Sequence, residues 1–243
     1  MIFGIRAIIE AIKSDKQIDK IILKNDMQSE LAKELFNAIK GFSHIQVQRV
    51  PLERLNRYTH KNHQGAIAFV SQTTYQLVSD IVPTLYEEGK TPFFVVLDGV
   101  TDVRNFGAIA RTCECGGVDA IVIPVKGGAS VNADAVKTSA GALHTLPVCK
   151  ESNLVSALKF LKQCGIRIVV ASEKGNKNYT EANLYDPVAI VMGAEDKGVS
   201  PEILRLCDEM VSIPIKGNIS SLNVSVAAGI MIYEGVKQRM SQV

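Results

Sequence analysis

The sequence from Phe93 onward alternates short apolar runs with segments of helical periodicity. The apolar runs predict strands at Phe93–Leu97, Ala120–Ile123, His144–Val148, Arg167–Ala171, Val188–Met192 and Met210–Ile213. The helical segments are Gly107–Cys115, Asp134–Ser139, Asn153–Cys164, Ser200–Leu206 and Leu222–Arg239. Strands that are apolar on both faces and separated by helices are typical of a mostly parallel sheet covered on both sides. This part of the chain is therefore predicted to have an α/β fold.

The first 75 residues contain a separate, smaller set of elements. Their periodicity predicts helices over Gly4–Lys13, Ser29–Lys40 and Leu52–Tyr58 and strands over Lys20–Leu23, Ile45–Val50 and Ala66–Val70. A polar stretch, a predicted helix over Tyr75–Glu88 and a Gly89–Pro92 break follow. A chain of 243 residues suits one large domain or two unequal ones. We therefore expect one domain over residues 1–75, a linker over 76–91 and a second domain over 92–243.

Charge is distributed unevenly between these two parts. The whole chain has 27 lysines and arginines and 25 acidic residues, a formal charge of +2. Residues 1–75 carry 11 basic and 7 acidic residues, or +4, whereas residues 76–243 carry 16 and 18, or −2. In the first part a single acid, Glu53, accompanies a run of basic residues: Lys40, Arg49, Arg54, Arg57 and Lys61. Such a run is either a solvated surface or a polyanion site, because basic side chains gain affinity by releasing phosphate counterions.

The composition argues against several other classes of protein. The five cysteines are odd in number and include no Cys-x-x-Cys pair, so we expect free thiols and no metal site. The apolar runs are much shorter than the roughly 18 residues of a membrane span. The N-terminal pattern contains Arg6 and Glu10 and has no small-residue cleavage site, unlike a secretory signal. We therefore expect a cytoplasmic protein with no membrane partner. His144, in a predicted apolar strand, is expected to be a core histidine.

Polar loops follow three of the predicted strands and lead into helices. In the first, the strand ends at Asp98 and a helix begins near Asn105, which can cap it. Arg111 lies further along this helix among small and apolar residues. An arginine in that setting forms either a structural ion pair or a contact to a phosphate or substrate.

The second loop contains Gly193, Glu195 and Gly198. It is either a ligand loop at the carboxyl edge of the sheet or a plain turn with an acid near a helix N-terminus. It does not end in Gly-Lys-Ser/Thr, and the chain has no Gly-x-Gly-x-x-Gly, which disfavours nucleoside triphosphates and dinucleotides. The third loop runs from Ile213 to Ser221, a candidate helix cap. The polar start and small residues of the helix that follows suit a small ligand held by backbone groups.

Together these three junctions resemble the motifs of a known enzyme family. They are Asn-x-Gly-x-x-x-Arg at Asn105–Arg111, Met-Gly-x-Glu-x-x-Gly at Met192–Gly198 and Ile-Pro-x-x-Gly-x-x-Ser-Ser-Leu-Asn-Val-Ser-Val-Ala at Ile213–Ala227. Their order and spacing resemble the SpoU/TrmH branch of the SPOUT methyltransferases. Gly4–Ala7 and His63–Ala68 resemble parts of the ribosomal-protein-like RNA-binding domain found in members that modify ribosomal RNA. Within the family, the resemblance points to the 23S rRNA guanosine-2′-O-methyltransferases of the RlmB type.

The resemblance implies a trefoil-knotted C-terminal α/β domain with a mostly parallel sheet, a small α/β RNA-binding domain before it, bound S-adenosylmethionine and a homodimer. The cofactor-binding residues implied by position are Ala171, Met192, Gly193, Ala194, Gly198, Ile213, Leu222 and Asn223. The implied catalytic residues are Asn105, Arg111, Glu195, Ser221 and Asn223. The implied RNA-binding residues are Arg6, Arg49, Arg54, Arg57, Lys61, His63 and Arg104.

The activity implied by the resemblance is methyl transfer from S-adenosylmethionine to the ribose 2′-hydroxyl of a guanosine in 23S rRNA. Arg111 is expected to hold a phosphate and stabilise charge on the ribose oxygen, since a guanidinium hardly deprotonates in a protein. Glu195 is expected to position Arg111 or the neighbouring loop. Two alternatives remain open: a tRNA 2′-O-methyltransferase of the same family and a non-catalytic RNA-binding or ribosome-assembly factor. Asp196 departs from the family pattern, in which many relatives have glycine.

Overall fold

The computed structural model describes residues 1–14, 16–42 and 44–241. The chain divides into two compact units, Met1–Thr74 and Tyr75–Val243, called here the first and the second unit. The predicted second domain extends to residue 243, and its last two residues, Gln242 and Val243, lie outside the described residues. No helix in the described part of the chain is both long enough and apolar enough to cross a membrane.

The first unit is a four-stranded sheet with helices on both faces. Its elements are β1 (Ile2–Phe3), α1 (Ile5–Lys13), β2 (Ile18–Lys24), α2 (Glu30–Ile39), β3 (Gln46–Val50), α3 (Leu52–Asn56) and β4 (Ala66–Val70). The strand order is β1-β4-β2-β3, in which β2 and β3 are parallel and the other neighbours antiparallel. Alternate side chains of β2 belong to two cores: Ile21 and Leu23 pack with α1 and α2, whereas Ile22 packs with α3.

The second unit is built around a parallel sheet of eight strands. Its elements are β5 (Tyr75–Gln76), α4 (Val78–Glu87), β6 (Phe93–Asp98), α5 (Val103–Cys115), β7 (Ala120–Pro124), α6 (Ala133–Thr138), β8 (Val148–Glu151), α7 (Leu154–Gln163), β9 (Arg167–Ala171), β10 (Lys177–Asn178), β11 (Val188–Gly193), α8 (Pro201–Leu204), β12 (Glu209–Ser212) and α9 (Val224–Met240). The strand order is β10-β12-β9-β11-β6-β7-β8-β5, and each neighbouring pair is parallel. The predicted α/β fold is thereby confirmed, whereas the trefoil knot stays a prediction.

Both faces of the parallel sheet are buried because its central strands carry apolar side chains on both sides. On β6, Phe93, Val95 and Leu97 belong to one core, and Phe94 and Val96 to the other. Helices α5, α6 and α9 complete the first core, and α4, α7 and α8 complete the second. Because the strands are parallel, their carboxyl ends lie at one edge of the sheet, where the loops that follow them can meet.

The segment predicted to be a linker, residues 76–91, is instead part of the second unit. Gln76 belongs to β5, which pairs with β8. The helix α4 buries one apolar face in the core, through Val78, Ile81, Val82 and Leu85. Apolar residues at helical spacing need a core to cover them, so this segment cannot act as an independent connection. The linker prediction is therefore wrong.

The strand predicted over His144–Val148 is also wrong. The chain turns at Gly141, which has a φ of 90°, a value that favours glycine. A short 3₁₀ helix over Ala142–His144 follows, and β8 begins only at the last residue of the predicted range. His144 is exposed, so the prediction of a core histidine fails with the strand.

Candidate active site

A cavity of about 360 Å³ opens at the carboxyl edge of the parallel sheet. It is lined by residues 171–174, 192–198, 213, 215, 220–222, 224 and 227, which lie at the ends of β9 and β11, in the loops after β9, β11 and β12, and at the start of α9. The predicted cofactor-binding residues Ala171, Met192, Gly193, Ala194, Gly198, Ile213 and Leu222 all lie in this lining. Asn223 does not, although both of its chain neighbours do. Among residues 1–14, 16–42 and 44–241, no three His, Cys, Asp or Glu side chains are grouped as a metal site requires.

Two glycines shape the loop after β11. Ala194 and Gly198 exchange two backbone hydrogen bonds, with N···O distances of 3.2 and 2.8 Å, which close residues 194–198 into a tight turn. A Cβ on Gly193 would lie 2.2 Å from the carbonyl carbon of Gly198, and Gly198 itself has a φ of 67°. A side chain is therefore disfavoured at both positions. The backbone of Gly193 and Gly198 lines the cavity with no side chain in front of it.

The carboxylate of Asp98 holds the C-terminal end of this loop by a hydrogen bond. Asp98 is the last residue of β6, where it pairs with Gly193 of the neighbouring β11. Its Oδ2 accepts a hydrogen bond from the backbone N–H of Ser200 at 2.6 Å. Ser200 is the residue that precedes α8. The loop is thus held at both ends, by the sheet at Gly193 and by a carboxylate at Ser200.

Three polar side chains, Asn105, Glu195 and Asn223, meet at the rim of the cavity. Asn105 Nδ2 donates a hydrogen bond to Glu195 Oε1 at 2.8 Å, and Asn223 Nδ2 donates to the same oxygen at 2.9 Å. Asn223 Nδ2 also lies 3.1 Å from Asn105 Oδ1, which accepts from it. The three residues come from α5, from the loop after β11 and from the start of α9. The structure therefore brings the three motif segments together through their side chains.

The caps of the two helices differ from those predicted. Asp102 caps α5, since its Oδ1 accepts from the backbone N–H of Arg104 at 2.9 Å and of Asn105 at 2.8 Å. Asn223 caps α9, since its Oδ1 accepts from the backbone N–H of Ser225 at 2.9 Å. The predictions of Asn105 and Ser221 as caps are wrong because these nearby side chains already satisfy the first N–H groups. The Asn105 side chain is therefore free to reach Glu195.

Arg111 is exposed on α5 and lies outside this cluster. It follows Asn105 by six residues, which places the two side chains about 120° apart around a helix of 3.6 residues per turn. Within the described residues, Arg111 forms no hydrogen bond or ion pair through its side chain. The structural ion pair considered from the sequence is therefore absent there. Of the two predicted roles of Glu195, its contacts fit the positioning of neighbouring segments rather than of Arg111.

Family comparisons cover nearly the whole chain. Residues 92–233 match the SpoU rRNA Methylase family, and residues 1–76 match the family of RNA 2′-O ribose methyltransferase substrate binding domains. The chain belongs to the SpoU rRNA Methylase family. Two similar proteins are 23S rRNA (guanosine-2′-O-)-methyltransferases RlmB. The one from Photorhabdus laumondii subsp. laumondii is 36% identical over 244 residues, covering 99% of each chain. The one from Vibrio parahaemolyticus is 34% identical over 243 residues, covering 99% of this chain and 97% of its own.

Solved structures of SpoU family proteins have the same fold. The SpoU methyltransferase AviRb from Streptomyces viridochromogenes, solved in complex with AdoMet, aligns with a TM-score of 0.63 at 23% identity. That alignment covers 99% of this chain and 90% of AviRb. The A. aeolicus TrmH/SpoU tRNA modifying enzyme aligns with a TM-score of 0.58 at 32% identity, over 68% of this chain and 85% of its own.

The predicted RNA-binding residues of this SpoU family member are distributed over both units. Those exposed in the first unit are Arg6, Arg49, Arg54, Arg57 and Lys61. Arg104 is exposed in the first turn of α5, in the second unit. These positions leave their charged groups accessible to a polyanion.

His63 is buried in the first unit, and its contact with RNA stays a prediction. It is 7% exposed. Its Nδ1 accepts a hydrogen bond from the backbone N–H of Gly65 at 3.1 Å, so the ring proton is on Nε2, which lies 2.9 Å from Asn56 Oδ1. Both ring nitrogens are used within the first unit, and the side chain stabilises the turn before β4.

One wall of the cavity was missed from the sequence. Ser172, Glu173 and Lys174 follow β9 and line the cavity, and Ser172 Oγ accepts a hydrogen bond from the backbone N–H of Lys174 at 3.2 Å. The sequence could have indicated this wall, because the strand predicted over Arg167–Ala171 ends at the same sheet edge as the strands before the motif loops. The residues after every parallel strand were therefore candidates for the site.

Proposed function

We propose that this protein transfers a methyl group from S-adenosylmethionine to the ribose 2′-hydroxyl of a guanosine in 23S rRNA. The two RlmB relatives are named for this activity and match the chain over nearly its full length. The observation that carries the proposal is the hydrogen-bonded cluster of Asn105, Glu195 and Asn223 at the cavity rim. The proposal also places the protein in the cytoplasm, together with ribosomal RNA.

The cavity fits S-adenosylmethionine in size and in chemistry. Its volume of about 360 Å³ lies within the roughly 300–1,000 Å³ typical of small-ligand sites. Met192, Ile213 and Leu222 supply apolar surface, and the bare backbone at Gly193 permits close approach. We assign the adenosyl part to backbone groups of Gly193, Ile213 and Leu222, with Ala171, Ala194, Gly198 and Asn223 around them. When bound, the cofactor supplies a methyl group that its sulfonium makes electrophilic.

The protein's own residues must bind the ribose and favour the departure of its 2′-hydroxyl proton. A hydroxyl is a weak nucleophile, so the site must align its oxygen and stabilise the charge that develops on it. Arg111 has no partner among the described residues, and its planar guanidinium suits both a phosphate and that developing charge. Asn105 and Asn223 hold Glu195 and thereby the loop beside the cavity. Ser221, in the cavity lining, is assigned to orient the ribose.

A tRNA is the second candidate substrate, since the A. aeolicus relative is described as a tRNA modifying enzyme. That alignment covers 68% of this chain, whereas the two RlmB relatives also match the first unit. The non-catalytic alternative is disfavoured because Asn105, Glu195 and Asn223 are joined into one site.

Methyl transfer from radiolabelled S-adenosylmethionine separates these candidates. The purified chain is offered unmodified 23S rRNA or total tRNA, and we expect label in the 23S rRNA as 2′-O-methylguanosine. Asn105→Ala should lose this activity, whereas Asn37→Ala, an exposed asparagine on α2, should retain it. Label in tRNA alone would favour the second candidate. Cofactor binding without transfer to either RNA would favour a non-catalytic factor.

We also propose that the protein is a homodimer that pairs through α9. Val226, Tyr233 and Met240 recur at intervals of seven residues on this helix and are 52%, 51% and 73% exposed. A stripe of large apolar side chains suits a second copy of the chain, because a two-fold interface pairs the same surface of both protomers. Sedimentation should show a dimer for the wild type and a monomer for Tyr233→Lys. A monomeric wild type would contradict this assembly.

A further inference from the structure

One face of the sheet in the first unit is only partly covered. The opposite face is closed by the apolar side chains of α1 and α2. Among the described residues of the first unit, the partly covered face carries one helix, α3, which has five residues and whose Leu55 packs on Ile22, Val50 and Ile67. Around that small core lies a surface that we call the α3 face and define by six residues: Phe3, Lys20, Arg54, Tyr58, Lys61 and Phe69.

Strand register places three of these residues on the same side of the sheet. Phe3 pairs with Ile67, and Lys20 pairs with Phe69. Side chains of directly opposed residues lie on the same face, and alternate residues of one strand share a face. Because Ile67 packs against α3, Phe3, Lys20 and Phe69 lie on that face as well. All three are half-buried, so part of each side chain remains accessible.

Aromatic rings and ammonium groups are interleaved on the α3 face. The rings of Tyr58 and Phe69 meet edge to face, with centroids 5.5 Å apart and planes at 74°. Lys61 Nζ lies 5.5 Å from the centroid of the Phe3 ring. Tyr58 is 40% exposed although its ring is large and mostly apolar. Exposed rings beside flexible cations are an arrangement that the fold of the unit does not require.

The cations of the α3 face are not held in ion pairs by the described part of the chain. Burial lowers the pKa of Lys20, and the Arg54 guanidinium lowers it further, while Asp19 acts in the opposite direction. Asp19 is itself buried. No side chain in the described part of the chain forms an ion pair with Lys20, Arg54 or Lys61. Two cations close enough to oppose each other's charge favour an anionic partner.

We infer that the α3 face binds unpaired RNA, with bases stacked on its aromatic rings and phosphates held by Lys20, Arg54 and Lys61. The inference rests on the proposed function and specifies which RNA the first unit recognises. Duplex RNA keeps its bases stacked within the helix, so only a loop or a single strand can present bases to these rings. Stacking on aromatic side chains is also tolerant of sequence, because each base has a π-face.

Fluorescence anisotropy with the full chain tests this inference. The probes are a short labelled RNA without self-complementary sequence and the same strand annealed to its complement. Tyr58→Ala should weaken binding of the single strand roughly tenfold, the loss of about one stacked base, and leave duplex binding unchanged. Tyr58→Phe keeps the ring and should bind as the wild type does. This matched variant separates the loss of stacking from the loss of the hydroxyl.

The charge component is tested separately, at a side chain whose removal does not disturb the core. Lys61→Gln should lower the slope of log affinity against log salt concentration by about 0.7, the value for one phosphate contact on a single strand. Lys33→Gln, the same change on the exposed side of α2, should leave the slope unchanged. Lys61→Gln also keeps the test decisive if Tyr58→Ala fails to fold.

Three results would overturn the inference: no single-strand binding by the wild type, equal losses on single strand and duplex, or no loss with Tyr58→Ala and Lys61→Gln. Methyl transfer to 23S rRNA is measured in parallel. If the wild type methylates 23S rRNA while the α3-face variants bind RNA normally, the role of the α3 face is refuted and the proposed function is not. Absence of transfer by the wild type refutes the proposed function, while the anisotropy experiment still decides whether the α3 face binds RNA.

Discussion

The hydrogen bond between Asp98 and Ser200 offers a direct test of how the cavity is held open. Its N···O distance of 2.6 Å is short, and its acceptor is a carboxylate oxygen. Removing such an acceptor costs about 1.5–3 kcal/mol, and Asp98→Ala leaves the Ser200 N–H unsatisfied. The loop that Asp98 holds lines the cavity. In Asp98→Ala, part of the binding free energy of the ligand would therefore be used to order this loop. We therefore expect Asp98→Ala to weaken S-adenosylmethionine binding by roughly ten- to hundredfold.

Titration calorimetry measures the affinity, and urea unfolding measures the accompanying loss of stability. Asp98→Asn keeps an acceptor oxygen and should lose less than Asp98→Ala in both measurements. Asp26→Ala, an exposed aspartate of the first unit, should change neither quantity. If Asp98→Ala binds the cofactor with wild-type affinity, the loop does not depend on this carboxylate and the reasoning is refuted.

Other positions give equally specific expectations. Arg111→Lys should reduce kcat roughly 100-fold with unchanged cofactor affinity, because lysine cannot form a bidentate contact; near-normal turnover would contradict that role. Gly193→Ala should abolish cofactor binding, since its Cβ would lie 2.2 Å from backbone, whereas Gly41→Ala, in the first unit and with no atom within 4 Å, should bind normally in the same calorimetry. Burial raises the pKa of the Cys113 thiol, so iodoacetamide should modify the exposed Cys115 first in peptide mass spectrometry. Equal rates at both cysteines would contradict the burial of Cys113.

The sequence predicts the central sheet well because its strands are buried on both faces. Runs such as Phe93–Leu97 and Val188–Met192 are apolar at successive positions, and each matches its strand, β6 or β11, to within one residue. The strand order, with β11 between β9 and β6, depends on crossovers that periodicity does not encode. His144–Val148 misled because apolar content alone does not separate a strand from a turn packed on the core.

The sequence predicted which loops form the candidate site, but it did not predict the side-chain contacts between them. The glycines and polar residues after two strands identify where the ligand loops lie. Asn105 and Asp102 both have side chains that can cap a helix, and only the tertiary contact with Glu195 distinguishes their roles. In the same way, His63 stands in a basic stretch of sequence, yet in the structure it is buried and its Nε2 lies 2.9 Å from Asn56 Oδ1, seven residues earlier.

Methylation of 23S rRNA in cells tests the central claim most directly. The 2′-O-methyl sites are mapped in cells with the gene, without it, and with the gene restored as wild type or as Asn105→Ala. The account predicts that a guanosine in 23S rRNA loses its 2′-O-methyl group in the deletion, regains it with the wild type and does not regain it with Asn105→Ala. An unchanged 23S rRNA profile in the deletion, or a loss confined to tRNA, would contradict it.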